Sequence, residues 1–373
     1  MDQIIVFAIP VFALLIGLEF AYGWLKGRNT YRLNDAISSL SQGLLSQVAA
    51  VCTQIFQIGL YAMFYAHFGP KQWAAAWQTP WGWVAAVVFF DFCDYWLHRV
   101  SHRSAIFWAA HIVHHQSQCF NFSTALRQES AYAVLGWMFY LPMALAGVPP
   151  TVYAVAGLVV LLYQFWIHTE LVGRLGWFDR VFSSPSNHRV HHAVNDRYID
   201  KNYGAIFVLW DRLFGTFEPE TEPCVYGTRT PLNSWDPGWT VLQGYWSLLS
   251  HAMSLPRWRD RARALWAPPG WHPQVSRSEP FDPSGIRPYD PPMTAPQQWA
   301  GSALFALAVI ATALFLWHAD DLTTGRTACG ALSLVLALWG IGRILKSPER
   351  LVHAGLLSGA ASGLAIAISA GTL

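Results

Sequence analysis

The 373-residue chain contains few charged residues: Asp, Glu, Lys and Arg make up 12% of it, against roughly 25% in soluble globular proteins. Hydrophobic residues make up 53%, and there are 20 tryptophans, a residue that concentrates where helices cross a membrane surface. This composition argues against a set of soluble domains and predicts a membrane protein. The net charge is only +2, and we expect no nucleic-acid partner, because such partners require a clustered basic face.

Cysteine is also scarce. The five cysteines lie far apart and form no C-x-x-C pair. Their spacing excludes zinc ribbons, thioredoxin-like redox sites and iron–sulfur clusters.

Long uncharged runs predict eight membrane spans, because a helix needs about 20 apolar residues to cross the hydrocarbon core. The run over residues 130–169 counts as two spans, since Gly147-Val-Pro-Pro stands at its midpoint and proline cannot continue a helix. The other runs cover residues 4–25, 36–70, 72–90, 299–317, 327–342 and 351–373.

The distribution of lysine and arginine among the loops predicts the orientation of these spans. Threading eight spans places every Lys and Arg except Lys71 and Arg326 on one side of the membrane. The positive-inside rule then makes the loops 26–35, 98–130, 169–296 and 343–350 cytoplasmic and puts both termini on the opposite side.

Residues 240–265 predict an interfacial helix within the longest loop. Their apolar first half is followed by Arg257, Arg259, Arg261 and Arg263, which suit anionic lipid headgroups. The alternative is a solvated basic turn.

Eight of the 14 histidines fall into three tight motifs. Residues at i, i+3 and i+4 share a helix face, so each motif directs its imidazoles toward one place. The motifs are His98 and His102, then His111, His114 and His115, and finally His188, His191 and His192.

Such a concentration of imidazoles predicts bound metal. Protonated, the histidines would repel one another, and neutral they would leave ring nitrogens without partners near the membrane. Eight ligands exceed the about four to six that one transition ion takes, which favours two ions over a proton relay. His168 is a candidate ninth ligand, with Gln164 one helical turn before it. Alternatively, His168 only bonds a backbone carbonyl. Asp94 stands at i−4 from His98, where it could orient that ring.

The order and spacing of the motifs, H-x3-H, H-x2-H-H and H-x2-H-H, resemble the signature of the fatty acid hydroxylase superfamily, also called the sterol desaturase family. The flanking text Trp108-Ala-Ala-His-Ile-Val-His-His, Lys201-Asn-Tyr-Gly and Trp210-Asp-Arg-Leu-Phe-Gly-Thr-Phe is similar to that of its alkylglycerol monooxygenase branch. The resemblance implies an all-α integral membrane protein of about eight transmembrane helices, whose cytoplasmic helical cap carries a histidine-rich dimetal site. We expect the oxygenase domain and its cap over residues 1–296 and the C-terminal membrane helices over residues 297–373.

The same resemblance implies a non-haem di-iron, O2-dependent enzyme that hydroxylates a lipid, either an alkylglycerol, a fatty acyl lipid, a sterol or an aminolipid. The eight motif histidines would be the catalytic metal ligands, joined by His168 and Gln164. Purified protein could carry zinc in place of iron, because nitrogen ligands bind Zn(II) more tightly than Fe(II). Desaturation uses the same ligand set and is the alternative reaction. A membrane metal transporter or sensor is the alternative from another class, although the histidines stand at one membrane edge and not along a path through it.

The resemblance also implies that electrons come from outside the chain, and the sequence shows no cytochrome b5 His-Pro-Gly-Gly motif and no dinucleotide-binding glycine motif. The donor is a separate protein or, if the monooxygenase likeness extends to the cofactor, tetrahydrobiopterin. We expect Arg127, Glu129, Asn202 and Tyr203 to meet the cofactor or the lipid headgroup. The alternative makes these residues ordinary salt-bridging residues of the loops.

Overall fold

A computed structural model describes residues 2–274 and 280–371, which contain 17 α-helices and no β-sheet. Two isolated antiparallel bridges, Phe182 with Phe207 and Ala193 with Tyr226, are the only extended pairings in those residues. The helices are α1 (Asp2–Leu25), α2 (Leu33–Cys52), α3 (Leu60–Phe68), α4 (Ala74–Trp77), α5 (Pro80–Arg103), α6 (Ala105–His115), α7 (Phe122–Ala125), α8 (Tyr132–Gly136), α9 (Leu141–Leu145), α10 (Pro150–Trp166), α11 (Pro185–His192), α12 (Leu209–Leu213), α13 (Pro237–Ser254), α14 (Trp258–Trp266), α15 (Ala295–Trp317), α16 (Thr324–Lys346) and α17 (Leu351–Ser369).

Among the described residues, four helical segments are long and apolar enough to cross a membrane: Ile5–Leu25, Ala295–Trp317, Thr324–Lys346 and Pro348–Ser369. A fifth is possible if α2 and the segment Ile55–Phe68, which meet at a bend of 68°, form one broken span. The all-helical membrane architecture is therefore confirmed. The total of eight spans stays a prediction, since Tyr132–Leu145 and α10 are shorter.

The turn predicted at the middle of residues 130–169 is present. Gly147 has φ +80°, a left-handed conformation that glycine adopts at little cost. Proline then starts α10, where its fixed φ suits the first helical turn and its missing N–H has no partner to lose.

The helix that carries the first histidine motif begins later and runs further than the uncharged run 72–90. The Thr79 hydroxyl accepts a bond from Gly82 N at 3.1 Å and caps α5, whose first residue is Pro80. The helix continues to Arg103, and Ser104, with extended backbone angles, separates it from α6. The first two histidine motifs thus lie on consecutive helices.

The helices α15, α16 and α17 pack against one another and, at α15 and α16, against α2. Small residues allow close approach, as at Gly340, where a Cβ would lie 2.8 Å from the carbonyl oxygen of Ala354. Polar contacts tie α1 to the histidine region: buried Glu19 accepts hydrogen bonds from the Thr169 hydroxyl and from Phe122 N.

Two helices replace the single interfacial helix predicted over residues 240–265. Helix α13 ends at Ser254, and α14 begins at Trp258 after Leu255-Pro256-Arg257. A proline disfavours the α conformation of the residue before it, and Leu255 accordingly has an extended ψ of 136°.

Candidate metal centre

Nine buried histidines meet where α5, α6, α11 and the C-terminal end of α10 converge. They form two groups, and the possible ligand atoms of each group lie within 4.8 Å of one another. The five-histidine group comprises His98, His102, His111, His115 and His191. The four-histidine group comprises His114, His168, His188 and His192. The structure therefore brings together all nine histidines singled out in the sequence.

The second and third motifs are each divided between the groups. His111 and His115, one helical turn apart on α6, enter the five-histidine group, while His114 enters the other. On α11, His188 and His192 are one turn apart and His191 faces the five-histidine group. A short helix can supply both groups because positions i+3 and i+4 diverge by about 100° around its axis.

Helix α11 is fixed at its start by local contacts. The Ser184 hydroxyl accepts a bond from Asn187 N at 3.3 Å, and Pro185 occupies the first helical position. The Asn187 amide donates to the carbonyl oxygens of Asp179 and Phe182 at 3.0 and 3.1 Å. All eight residues of the helix are buried, so its rings have little freedom to move.

The distances between ring nitrogens suit ligands that share an ion. Within the five-histidine group, His111 Nε2 lies 3.1 Å from both His98 Nε2 and His115 Nε2. Within the other, His168 Nε2 lies 3.2 Å from His114 Nε2 and 2.9 Å from His188 Nε2. Metal–nitrogen bonds of about 2.1 Å at angles of about 90–110° would separate neighbouring ligand atoms by about 3.0–3.4 Å.

Backbone carbonyl oxygens orient four of the rings. A carbonyl oxygen can only accept a hydrogen bond, so the Nδ1 that faces it carries the proton and Nε2 keeps its lone pair for a metal. The pairs are His98 with Tyr203 O (2.8 Å), His114 with Arg127 O (3.0 Å), His168 with Gln164 O (2.7 Å) and His191 with Lys201 O (3.0 Å).

A fifth ring, that of His111, is held by a side-chain carboxylate at hydrogen-bond distance. Its Nδ1 lies 2.5 Å from Glu129 Oε1, and both side chains are almost completely buried. A carboxylate behind a ligating histidine fixes the ring and increases its basicity. In the same five-histidine group, Asp200 Oδ1 lies 3.9 Å from His102 Nδ1, beyond hydrogen-bond distance.

Three buried ring nitrogens of the nine histidines have no hydrogen-bond partner in the described structure: His102 Nε2, His191 Nε2 and His188 Nδ1. Burial lowers the pKa of His111 to about 3 and that of His114 to about 4, so both rings are neutral at physiological pH. Neutral imidazoles with unpartnered lone pairs are the donor set that a transition ion requires. The residues therefore fit a pair of bound metal ions.

Other predicted site residues have different surroundings. The Gln164 side-chain amide donates to Val160 O at 3.5 Å, and only its backbone oxygen contacts His168. Asp94 accepts a bond from the Tyr140 hydroxyl at 2.7 Å, and both ring nitrogens of His98 have other partners. Asp94 therefore does not orient His98.

Arg127 is 2% exposed, and its side chain makes several hydrogen bonds inside the protein. Its guanidinium donates to Val113 O at 2.7 Å and to Gln116 Oε1 at 3.1 Å. Asn202 is equally buried, and its amide donates to Asn187 O and Glu218 O. Tyr203 lies with its ring centroid 5.3 Å from that of His102, and its buried hydroxyl has no partner among the described residues. Their expected contact with a cofactor or headgroup stays a prediction.

Sequence reasoning missed how the loop after α11 shapes the site. Asp200 and Asn202 both have positive φ (60° and 54°), a conformation that Asn and Asp tolerate better than most residues. This path presents the carbonyl oxygens of Lys201 and Tyr203 to two histidines. The pair of short polar residues around Lys201 is the sequence signal that could have indicated it.

Two buried aspartates anchor the same loop. Asp211 accepts from Tyr203 N and Gly204 N, each at 2.8 Å. Asp91 accepts from Ile206 N at 2.6 Å and from Trp210 Nε1 at 2.8 Å. The position of the Tyr203 carbonyl, and with it the orientation of His98, therefore depends on carboxylates that do not touch the histidines themselves.

Comparison with known proteins places these residues in a wider context. The fatty acid hydroxylase family model matches residues 83–216, which contain all nine histidines. The chain is 39% identical to alkylglycerol monooxygenase of Homo sapiens over 271 residues, covering 72% of this chain and 60% of that protein. It is 34% identical to alkylglycerol monooxygenase of Xenopus tropicalis over 345 residues, covering 91% and 76%. It is also 29% identical to an ornithine lipid hydroxylase of Rhizobium tropici over 214 residues, covering 54% and 61%.

The match thus spans about three fifths of the human relative's length. No solved structure matches the chain significantly.

Proposed function

The chain belongs to the fatty acid hydroxylase family, and on that premise we propose that it is an integral-membrane, O2-dependent lipid hydroxylase with two non-haem irons. One observation carries the proposal: nine buried histidines form two groups of metal-binding geometry beside apolar helices. A zinc hydrolase is less well supported, because catalytic zinc usually takes three protein ligands and a water.

We assign one iron to the five-histidine group and one to the four-histidine group. When bound, the two irons supply the oxidising chemistry that inserts one atom of O2 into a C–H bond, while the other atom leaves as water. The protein presents the Nε2 lone pairs by binding Nδ1 on the far side of five of the rings. Burial of all nine side chains excludes bulk water from the ligands.

The substrate proposed first is an alkylglycerol, since relatives named for that activity are 34–39% identical to this chain. The similarity to an ornithine lipid hydroxylase supports an aminolipid as the second candidate. Each turnover consumes two electrons and two protons beyond those of the substrate. We propose that a separate donor supplies the electrons, with tetrahydrobiopterin as the first reductant to test.

The proposed topology has eight spans, with the histidine groups on the cytoplasmic side and the termini opposite. The asymmetric placement of Lys and Arg supports it. We retain the division into an oxygenase domain with its cap, residues 1–296, and a C-terminal membrane domain, residues 297–373.

The test is incorporation of labelled oxygen. Protein reconstituted in nanodiscs with an alkylglycerol, or in a second series an ornithine lipid, receives tetrahydrobiopterin and 18O2, and lipid products are analysed by mass spectrometry. We expect one 18O atom per product with the wild type and none with His115→Ala, while His353→Ala, outside both groups, retains activity. A new double bond without 18O would instead establish desaturation. If neither the 18O-labelled nor the desaturated lipid forms, and proteoliposomes take up metal, the transporter alternative would be supported.

A further inference from the structure

Helix α13 carries a continuous apolar stripe that points away from the protein. Its members are separated by three, four, three and four residues and therefore lie on one face of the helix. They are 39–61% exposed: Trp239, Leu242, Trp246, Leu249 and Met253.

The opposite face of α13 is fixed against α6, the helix that carries His111, His114 and His115. A Cβ at Gly244 would lie 2.7 Å from Ala109 O, so only glycine permits this approach. The Gln116 amide, directly after α6, donates to Thr240 O at 3.2 Å. These contacts hold the apolar stripe outward, and it cannot turn into the protein interior.

The start of α13 packs against the C-terminal part of α16, a candidate membrane span. The Trp339 indole of α16 donates to Asp236 Oδ2 at 3.0 Å, and a Cβ at Gly342 would lie 2.4 Å from Trp235 O. The last turn of α16 contains the cations Arg343 and Lys346. Helix α13 therefore begins beside the charged end of an apolar helix that is 23 residues long.

Helix α14 combines exposed tryptophan with exposed arginine. Trp258 and Trp266, at its two ends, are 72% and 63% exposed. Arg257, Arg259 and Arg263 are exposed beside them. Within the described residues their guanidinium groups make no hydrogen bond, and those of Arg259 and Arg263 lie 5.7 and 4.8 Å from the ring centroids of Trp258 and Trp271. Tryptophan favours the boundary between acyl chains and headgroups, and arginine favours anionic headgroups.

We propose that α13 and α14 form a membrane-surface platform, in which the α13 stripe enters the acyl–headgroup boundary and the α14 arginines bind anionic lipid. A second copy of the chain is a poorer occupant, because three like charges on each copy would approach one another in a symmetric interface. The helix bearing the second histidine motif would then rest on an element that itself lies on the bilayer.

Spin labels test the orientation of α13. Leu249→Cys places a label on the stripe, and Ser247→Cys places a matched label on an exposed polar position of the same helix, both in a background without the native cysteines. In phosphatidylcholine nanodiscs, we expect the Leu249 label to be more accessible to O2 than to a water-soluble nickel chelate, and the Ser247 label to show the reverse. A Leu249 label that the nickel chelate reaches freely would overturn the proposal. Dipolar broadening between labels would overturn it too, in favour of a second copy.

A label at exposed Ala262 on α14 tests the headgroup contact. We expect adding phosphatidylglycerol to the nanodiscs to lower its accessibility to the nickel chelate by several-fold. In the combined variant Arg257→Gln, Arg259→Gln and Arg263→Gln, that change should disappear, while the Leu249 label keeps its preference for O2. Equal accessibility with and without the anionic lipid in the wild type would overturn the arginine assignment.

Discussion

Replacing Glu129 should weaken metal binding in the five-histidine group, although all five proposed ligand residues are unchanged. His111 occupies the middle of that group, with its Nε2 3.1 Å from the Nε2 atoms of His98 and His115. Glu129 Oε1 holds the other side of the ring at 2.5 Å. Metal binding at Nε2 makes Nδ1–H a stronger donor, so Glu129→Ala costs the metal-bound form more than the metal-free form, by up to about 1–3 kcal/mol for a hydrogen bond to a charged group.

This range corresponds to about 5- to 150-fold in a dissociation constant, and it brackets the 10- to 100-fold loss typical when a group that orients a metal ligand is removed. Glu129→Gln retains an oxygen acceptor but loses the charge, so we expect a smaller loss of about tenfold or less. Charge-assisted hydrogen bonds are roughly twice as strong as neutral ones.

The assay is competition for Zn(II) between the purified protein and a chromophoric chelator, which reports affinity without turnover. Gln128→Ala is the matched control, because its amide donates only to the nearby Ala125 O. Thermal unfolding of the metal-free proteins separates local from global damage. If metal-free Glu129→Ala unfolds like the wild type and still binds both ions with unchanged affinity, the orienting role of Glu129 is refuted.

Three further predictions follow from the same geometry. His102→Ala and His188→Ala, each altering one group, should lower metal content from about two ions per chain toward one, whereas His353→Ala should leave it unchanged; elemental analysis measures the ratio. Gln164→Ala should keep both ions and most activity, because only the backbone oxygen of that residue contacts His168. If elemental analysis shows that an ion is lost, the side-chain amide is a metal ligand after all. In a background without native cysteines, Thr230→Cys should react with an impermeant thiol reagent only in opened cells, and Lys71→Cys in intact cells; the reverse labelling would invert the topology.

The meeting of the motif histidines was predictable, because helical spacing depends on sequence alone. Positions i, i+3 and i+4 place each motif on one side of its helix, and all nine predicted histidines meet in the structure. Their division into five and four was not predictable, since it depends on how α5, α6 and α11 cross. The backbone oxygens that orient four of the rings belong to residues whose side chains carry no signal for this role.

Arg127 illustrates how sequence position and tertiary contact diverge. Arg127 follows a histidine motif in a loop, and its position there does not indicate that its guanidinium donates to Val113 O, Gln116 Oε1 and the Ser38 hydroxyl. Its own carbonyl oxygen accepts from His114. Residues from α2 and α6, distant in sequence, thus decide the surroundings of Arg127. The break between α13 and α14 is different, because it depends on a local feature. Pro256, which disfavours a helical conformation at Leu255, is visible in the sequence.

The two histidine groups differ in a way that should make their ions leave at different rates. The five-histidine group has more ligands and the Glu129 carboxylate behind one of them, whereas the Nδ1 partners found for the four-histidine group are the carbonyl oxygens of Arg127 and Gln164. An extra neutral ligand and an anionic partner both favour retention of a divalent ion. We therefore expect an excess of chelator to remove zinc in two phases of similar amplitude, the faster from the four-histidine group. In His188→Ala the faster phase should vanish, and in Glu129→Ala the slower phase should approach the faster. Release of both ions in one phase from the wild type would contradict the proposed inequivalence.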